Sequence, residues 1–135
     1  MGLTNYETIM KTILIIEDNN SILENLTEYL KNEGFKIIAA NNGSRGVELA
    51  KEFSPDLIVC DVLMPKMNGY EVLDVLLRTA KTHKIPFIFS TSNSEKVDRE
   101  EALKLGADDY IIKPFEPEAL LEMANAWIKS GSIRP

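Results

Sequence analysis

The stretch Leu57-Ile58-Val59-Cys60-Asp61-Val62-Leu63-Met64-Pro65 constrains the rest of the chain. Four consecutive apolar residues between turn formers predict a strand buried on both faces, as in a parallel sheet. Asp61 closes the run, and Met64-Pro65 followed by Asn68-Gly69 turns the chain out into a loop. A carboxylate at the C-terminal end of a parallel strand stands where open α/β sheets bind ligands. A lone aspartate at such a place more commonly just hydrogen-bonds its own turn. Three other apolar runs shift that balance: one ends at Glu17-Asp18, one at Ser90-Thr91-Ser92 and one at Lys113.

Taken in order, residues 1–10 read as a polar lead-in and Ile13 to Ile16 as the first strand. Asn19, Asn20 or Ser21 can cap the helix that follows, with Ile22, Leu26, Tyr29 and Leu30 on one face and Gly34 as its stop. Phe35 to Ala40 is the second strand. Ser44 caps a short helix carrying Val47, Ala50 and Phe53, which Pro55 closes. Beyond the central strand, a helix from about Gly69 to Arg78 turns Val72, Leu73, Leu76 and Leu77 inward.

Ile85 to Phe89 is the fourth strand, and Pro86, lacking a donor, points to a sheet edge or to the strand's first residues. The next helix, around Glu95 to Leu105, has a weak apolar stripe (Val97, Ala102, Leu103, Leu105) and ends at Gly106. Tyr110 to Ile112 is a short fifth strand that Lys113-Pro114 breaks. The last helix runs from Pro117 to about Lys129 and buries Leu120, Leu121, Ala124, Trp127 and Ile128. One domain over residues 11–130 with a tail or linker at 131–135 accounts for the chain.

Five strands alternating with five helices across short loops form a doubly wound parallel sheet, α/β in class. Right-handed crossovers put helices on both faces and all strand C-termini at one edge, gathering Glu17, Asp18, Asp61, Thr91 and Lys113 there. Periodicity alone leaves the strand order open. A net charge of −6 over 135 residues argues against nucleic acid or anionic membrane as the partner. No apolar run approaches the ~20 residues of a membrane span, and no signal peptide is legible, so a soluble cytoplasmic domain is expected. Cys60 is the single cysteine and reads as a small buried hydrophobe.

Three carboxylates at one edge repel one another unless a hard divalent cation neutralises them, and all-oxygen ligation suits Mg²⁺ or Mn²⁺. Lys113 adds a compact cation, and Thr91 or Ser92 a hydroxyl donor. An anion with several acceptor oxygens, phosphoryl foremost, is what such donors recognise. Asp61 then serves either as a metal ligand only or as the nucleophile that takes phosphoryl as an acyl phosphate.

Four motifs in order carry a family likeness. They are Glu17-Asp18; Asp61-Val62-Leu63-Met64-Pro65 with Asn68-Gly69; Thr91-Ser92; and Gly106-Ala107-Asp108-Asp109-Tyr110 leading to Lys113-Pro114-Phe115. Together they resemble the receiver domain of two-component response regulators, and are similar to the stand-alone chemotaxis-type receivers. The resemblance implies a flavodoxin-like sheet of order 2-1-3-4-5 and a signalling domain that assists its own phosphorylation and dephosphorylation without being an enzyme. It implies Asp61 as phosphoacceptor from a histidine kinase or histidine phosphotransfer protein. Glu17, Asp18, Asp61 and the main-chain carbonyl of Leu63 would bind Mg²⁺, and Thr91 and Lys113 would hold the phosphoryl oxygens. Thr91 and Tyr110 would form the switch, and a cis Lys113–Pro114 bond would aim the lysine. Output would pass through the helix 4, strand 5 and helix 5 face to a protein target or output domain. Departures from the common pattern are mild: Glu17 replaces the usual Asp and Ser92 the frequent Ala, while Leu63 and Asn93 occupy the sites that tune phosphoryl lifetime.

Other readings are weaker. A haloacid-dehalogenase-type phosphatase needs a second Asp two residues after the first, where this chain has Leu63. A flavodoxin-like nucleotide binder needs a glycine- or hydroxyl-rich phosphate loop after strand one, where Glu17-Asp18-Asn19 would repel phosphate. A phosphorylation-independent pseudo-receiver, used only as an interaction module, commonly lacks an acid, the Thr or the Lys, and none is missing here.

Overall fold

Each of the five apolar runs becomes a parallel strand, and the strands order as β2-β1-β3-β4-β5. The computed structural model describes residues 10–92, 99–132 and 134. Its elements are β1 (Thr12–Ile16), α1 (Asn20–Asn32), β2 (Lys36–Ala40), α2 (Gly43–Phe53), β3 (Leu57–Asp61), α3 (Gly69–Leu77), β4 (Phe87–Ser92), α4 (Arg99–Lys104), β5 (Asp109–Lys113) and α5 (Pro117–Ser130). Among the described residues, no helix is long and apolar enough to cross a membrane.

Strand alternation divides the apolar residues into two cores, one on each face. Ile13, Ile15, Leu57, Val59, Ile88 and Ile111 pack under Leu23, Leu26, Leu30, Leu120 and Ala124 of α1 and α5. Leu14, Ile16, Ile58, Cys60, Phe87 and Phe89 pack under Val47, Ala50, Val72, Leu73, Leu76 and Ala102 of α2, α3 and α4. All five residues of β3 are buried: Leu57 to Cys60 are apolar, as a central strand covered on both faces requires, and Asp61 is a buried carboxylate at its end. On the second face, the Phe89 ring meets Tyr70 and Phe87 edge-on, with centroids 5.3 and 5.1 Å away.

Several details depart from the sequence reading. β4 begins at Phe87 rather than Ile85 and continues through Ser90 and Thr91 to Ser92. Of the two places Pro86 suggests, the sheet edge fails because β4 lies between β3 and β5, while the strand start holds: Pro86 immediately precedes Phe87, and its carbonyl accepts the Ile58 N–H at 2.9 Å. α2 is capped by Asn42, whose side chain accepts the Arg45 N–H, and not by Ser44. Phe53 is 48% exposed rather than inward: it is the last residue of the helix, and Ser54 caps it in left-handed geometry. The expected start of α4 near Glu95, its Val97, Asn93 and residues 1–9 of the lead-in lie outside the described residues.

Side chains tie the strand starts together at the pole away from the acids. Asp56 Oδ2 accepts the Thr12 N–H at 2.8 Å, and Asp108 Oδ2 accepts the Phe87 N–H at 2.8 Å. At the edge strand, Trp127 Nε1 donates to Asp109 Oδ2 at 2.9 Å, joining α5 to β5.

Candidate functional site

The sheet register brings the chemistry-bearing residues to one edge. Ile16 pairs with Cys60, Asp61 with Ser90, and Ser92 with Lys113, so the ends of β1, β3, β4 and β5 lie level. Glu17 and Asp18 leave β1 there, and the Glu17 N–H donates to the Ala40 carbonyl at 3.0 Å. Glu17 also accepts the Asn19 N–H at 3.1 Å, while Asn19 caps α1 through the Ile22 N–H.

One oxygen from each of Glu17, Asp18 and Asp61 lies within 4.8 Å of the others. Glu17 and Asp61 are buried and Asp18 is exposed, so the cluster opens to solvent on the Asp18 side. There an open cleft of about 590 Å³ runs between residues 41–44 and 65–67. Lys113 enters from the other side, its Nζ 2.7 Å from Glu17 Oε1 and 3.2 Å from Asp61 Oδ1. The ammonium meets Asp61 Oδ1 off hydrogen-bond geometry, leaving that buried oxygen ion-paired but without a hydrogen bond.

This crowding perturbs both charges. Burial, then the Glu17 carboxylate and Asp18, push Asp61 up to about 7, with Lys113 giving partial relief. Burial works against the Lys113 charge, yet Glu17 and Asp61 outweigh it and hold the ammonium above its ordinary value. Three oxygen donors with an open side, carrying more negative charge than one lysine offsets, suit a hard divalent cation. Glu17, Asp18 and Asp61 could therefore hold a metal ion.

Thr91 is buried at the end of β4. Its parity with Phe87 and Phe89 puts it on the α3/α4 face, and Tyr110, the register partner of Phe89, packs against that same core. Lys113 has the parity of Ile111, on the α1/α5 face. The Lys113–Pro114 peptide is cis. Leu63, the residue expected to offer a carbonyl, has a side chain that is 59% exposed at the mouth of the loop after β3.

That loop returns sharply. Lys66 adopts a φ of 69°, the Gly69 N–H donates to the Val62 carbonyl at 2.8 Å, and Asn68 and Glu71 close a capping box on α3. Gly69 lies so close under the strand that a Cβ there would collide with Asp61 O and lie 3.0 Å from Val62 Cα. In the sequence, Asn68-Gly69 signals a turn but not this close approach to the Asp61 backbone. The Asn-Gly pair was the available clue.

Cys60, beside Asp61, is fully buried and contacts the Asp61 carbonyl at 3.2 Å. Burial pushes its thiol well above the ordinary value, with the Asp61 and Glu17 carboxylates adding to the effect. Native protein at pH 8 should therefore leave Ellman's reagent unreacted over minutes and give one thiol equivalent on unfolding. Rapid reaction of the native protein would contradict this packing.

A five-stranded 2-1-3-4-5 sheet with acids just after β1 and at the end of β3, and a lysine at the end of β5, defines a class of domain, and sequence comparison agrees. The family model of the response regulator receiver domain matches residues 13–125. The chain belongs to that family, the receiver domains of two-component systems, which are signalling domains rather than classical enzymes. It is similar to the protein PilH of Pseudomonas aeruginosa, 36% identical over 117 residues that cover 87% of this chain and 97% of PilH. It is 33% identical to the DNA-binding response regulator MtrA of Mycolicibacterium smegmatis over 129 residues, 96% of this chain but 55% of MtrA. Among solved structures, the receiver domain of a sensor histidine kinase from Pseudomonas aeruginosa superposes with a TM-score of 0.77 at 27% identity, covering 90% of this chain and 99% of that one. That structure holds a magnesium ion coordinated in its active-site cleft.

Proposed function

We propose that this domain accepts a phosphoryl group on Asp61 from a phosphohistidine of a histidine kinase or histidine phosphotransfer protein. The observation that carries the reading is the convergence of the Glu17, Asp18 and Asp61 oxygens within 4.8 Å, with Lys113 alongside. Glu17, Asp18, Asp61 and the Leu63 carbonyl are the groups that would hold Mg²⁺, as the magnesium in the related kinase receiver suggests. When bound, the ion supplies positive charge that offsets the acids and the incoming phosphoryl oxygens.

The protein's own part is positioning and electrostatics, which account for most catalysis of phosphoryl transfer. An Asp61 oxygen forms the new O–P bond as the N–P bond of the phosphohistidine breaks, and the imidazole leaves with the electron pair. Lys113 moves from neutralising carboxylates to neutralising phosphoryl oxygens, and the Thr91 hydroxyl donates to one of them. Thr91 drawn toward Asp61 frees room for Tyr110 on the same sheet face. The α4–β5–α5 face then changes shape for a protein target. A shift of this kind needs only a few kcal/mol of differential binding.

Incubation with acetyl phosphate and Mg²⁺ should add one phosphoryl group by intact mass. Asp61→Asn should abolish the addition, Asp18→Ala should reduce it to near background, and Lys113→Ala should slow it about a hundredfold. Labelling of Asp61→Asn equal to that of the unaltered protein would overturn the assignment.

A further inference from the structure

At the pole opposite the acids, the chain carries a receptor for a planar cation. Arg134 reaches under the sheet between the connections that precede β4 and β5. Its Nε donates to the His83 carbonyl at 3.0 Å, and its Nη1 to the Gly106 carbonyl at 2.6 Å and to Asp108 Oδ2 at 2.7 Å. Nη2 donates to the Ile85 carbonyl. Three main-chain carbonyls and one carboxylate thus converge on a single guanidinium, whose side chain is only 12% exposed.

The receptor is built by the domain itself. Asp108 is buried, and its Oδ2 is also held by the Phe87 N–H at 2.8 Å, a bond independent of Arg134. The Asp108 N–H in turn donates to the Phe87 carbonyl at 2.9 Å, fixing the carboxylate between two paired strands. Gly106, with a φ of 107°, turns its peptide in a conformation that other residues rarely adopt. Ser132 completes the seat from the tail side, donating to Asp108 Oδ1 at 2.9 Å and accepting the Arg134 N–H at 3.2 Å. A lysine could place one point charge here, but only a forked, planar donor set reaches carbonyls and carboxylate in several directions together.

We propose that this pole is a guanidinium-binding site, occupied in cis by Arg134, and that an alkylguanidinium supplied in trans takes the same seat once Arg134 is removed. The ligand class is therefore the arginine side chain. Occupancy ties the end of α5 to the starts of β4 and β5, the strands that carry Thr91 and Lys113 at their far ends. The simpler alternative is an ordinary ion pair, whose loss small molecules cannot repair.

The test is chemical rescue followed by thermal unfolding. Arg134→Ala should lower Tm by several degrees, and N-ethylguanidinium at about 20 mM should recover at least half of the loss, while ethylammonium at the same concentration recovers none. Neither compound should stabilise the unaltered protein, and the double variant Arg134→Ala with Asp108→Asn should not be rescued. Equal shifts with ethylammonium, equal shifts in the double variant, or an Arg134→Ala Tm unchanged from the unaltered protein would each overturn the proposal. Should Arg134→Ala fail to fold, the unaltered protein still decides by NMR. A seated guanidinium gives a protected Arg134 Nε–H and separately resolved Nη protons, and rapid exchange at Nε–H would refute the seat.

Discussion

Replacing Asp61 with Asn is expected to stabilise the metal-free protein at pH 8. In the unfolded chain an aspartate ionises near its ordinary value of about 3.9, whereas burial and the Glu17 charge lift Asp61 in the fold to about 7. A folded value above the unfolded one means that ionisation opposes folding. The cost is absent below about pH 4, grows between about pH 4 and 7, and is fully present above that. Three units would correspond to about 4 kcal/mol. Solvent on the open side of the cluster reduces the net gain to about 2 kcal/mol, or about 7 °C in Tm. The gap between variant and parent should close as the pH is lowered toward 4. Millimolar Mg²⁺ should stabilise the parent and leave Asp61→Asn nearly unchanged. A variant less stable than its parent at pH 8 without metal would show that the acid cluster is not under this strain.

Gly69→Ala should be the most damaging methyl that can be added to the chain near the site. The new Cβ would collide with Asp61 O and stand 3.0 and 3.1 Å from Val62 Cα and Asp61 C, all main-chain atoms with no rotamer of escape. Either α3 moves out or the end of β3 moves back. The expected cost is about 2–3 kcal/mol, together with loss of phosphoryl acceptance as the Asp61 backbone shifts. Gly46→Ala provides the comparison: its Cβ would meet side-chain atoms of the buried Ile16 and no main-chain atoms, so its cost falls on packing under β1 and not on the Asp61 backbone. Full acceptance of phosphoryl by Gly69→Ala would show that the close approach does not position Asp61.

The central strand was legible in the sequence because a strand buried on both faces must be apolar throughout, and Leu57 to Cys60 is. The bounds of β4 are harder to read for the complementary reason. Its ladder runs on through Ser90 and Thr91, whose backbones pair with Asp61 and Ile111 and with Ile112, respectively, but whose side chains break the apolar run. Phe53 fits the helical period yet points outward, because periodicity gives a face and not where the helix stops. The gathering of Glu17, Asp18, Asp61 and Lys113 followed from strand ends sharing an edge. Their mutual distances did not: that Lys113 lies closer to Glu17 than to Asp61 depends on side-chain geometry. Least legible were the polar ties of Asp56 to Thr12 and of Arg134 to Asp108. They join residues 44 and 26 positions apart and leave no local pattern.

The bond from Trp127 to Asp109 has an optical consequence. Trp127 is the chain's only tryptophan, partly buried on α5, with its indole N–H held by a carboxylate next to Tyr110. Indole emission is sensitive to hydrogen bonding at that nitrogen and to the nearby charge. The protein therefore contains its own fluorophore at the junction of α5 and β5, with no second indole to dilute the signal. Any rearrangement of the last strand against the last helix can be followed in real time, in unlabelled protein, by the colour and lifetime of one side chain.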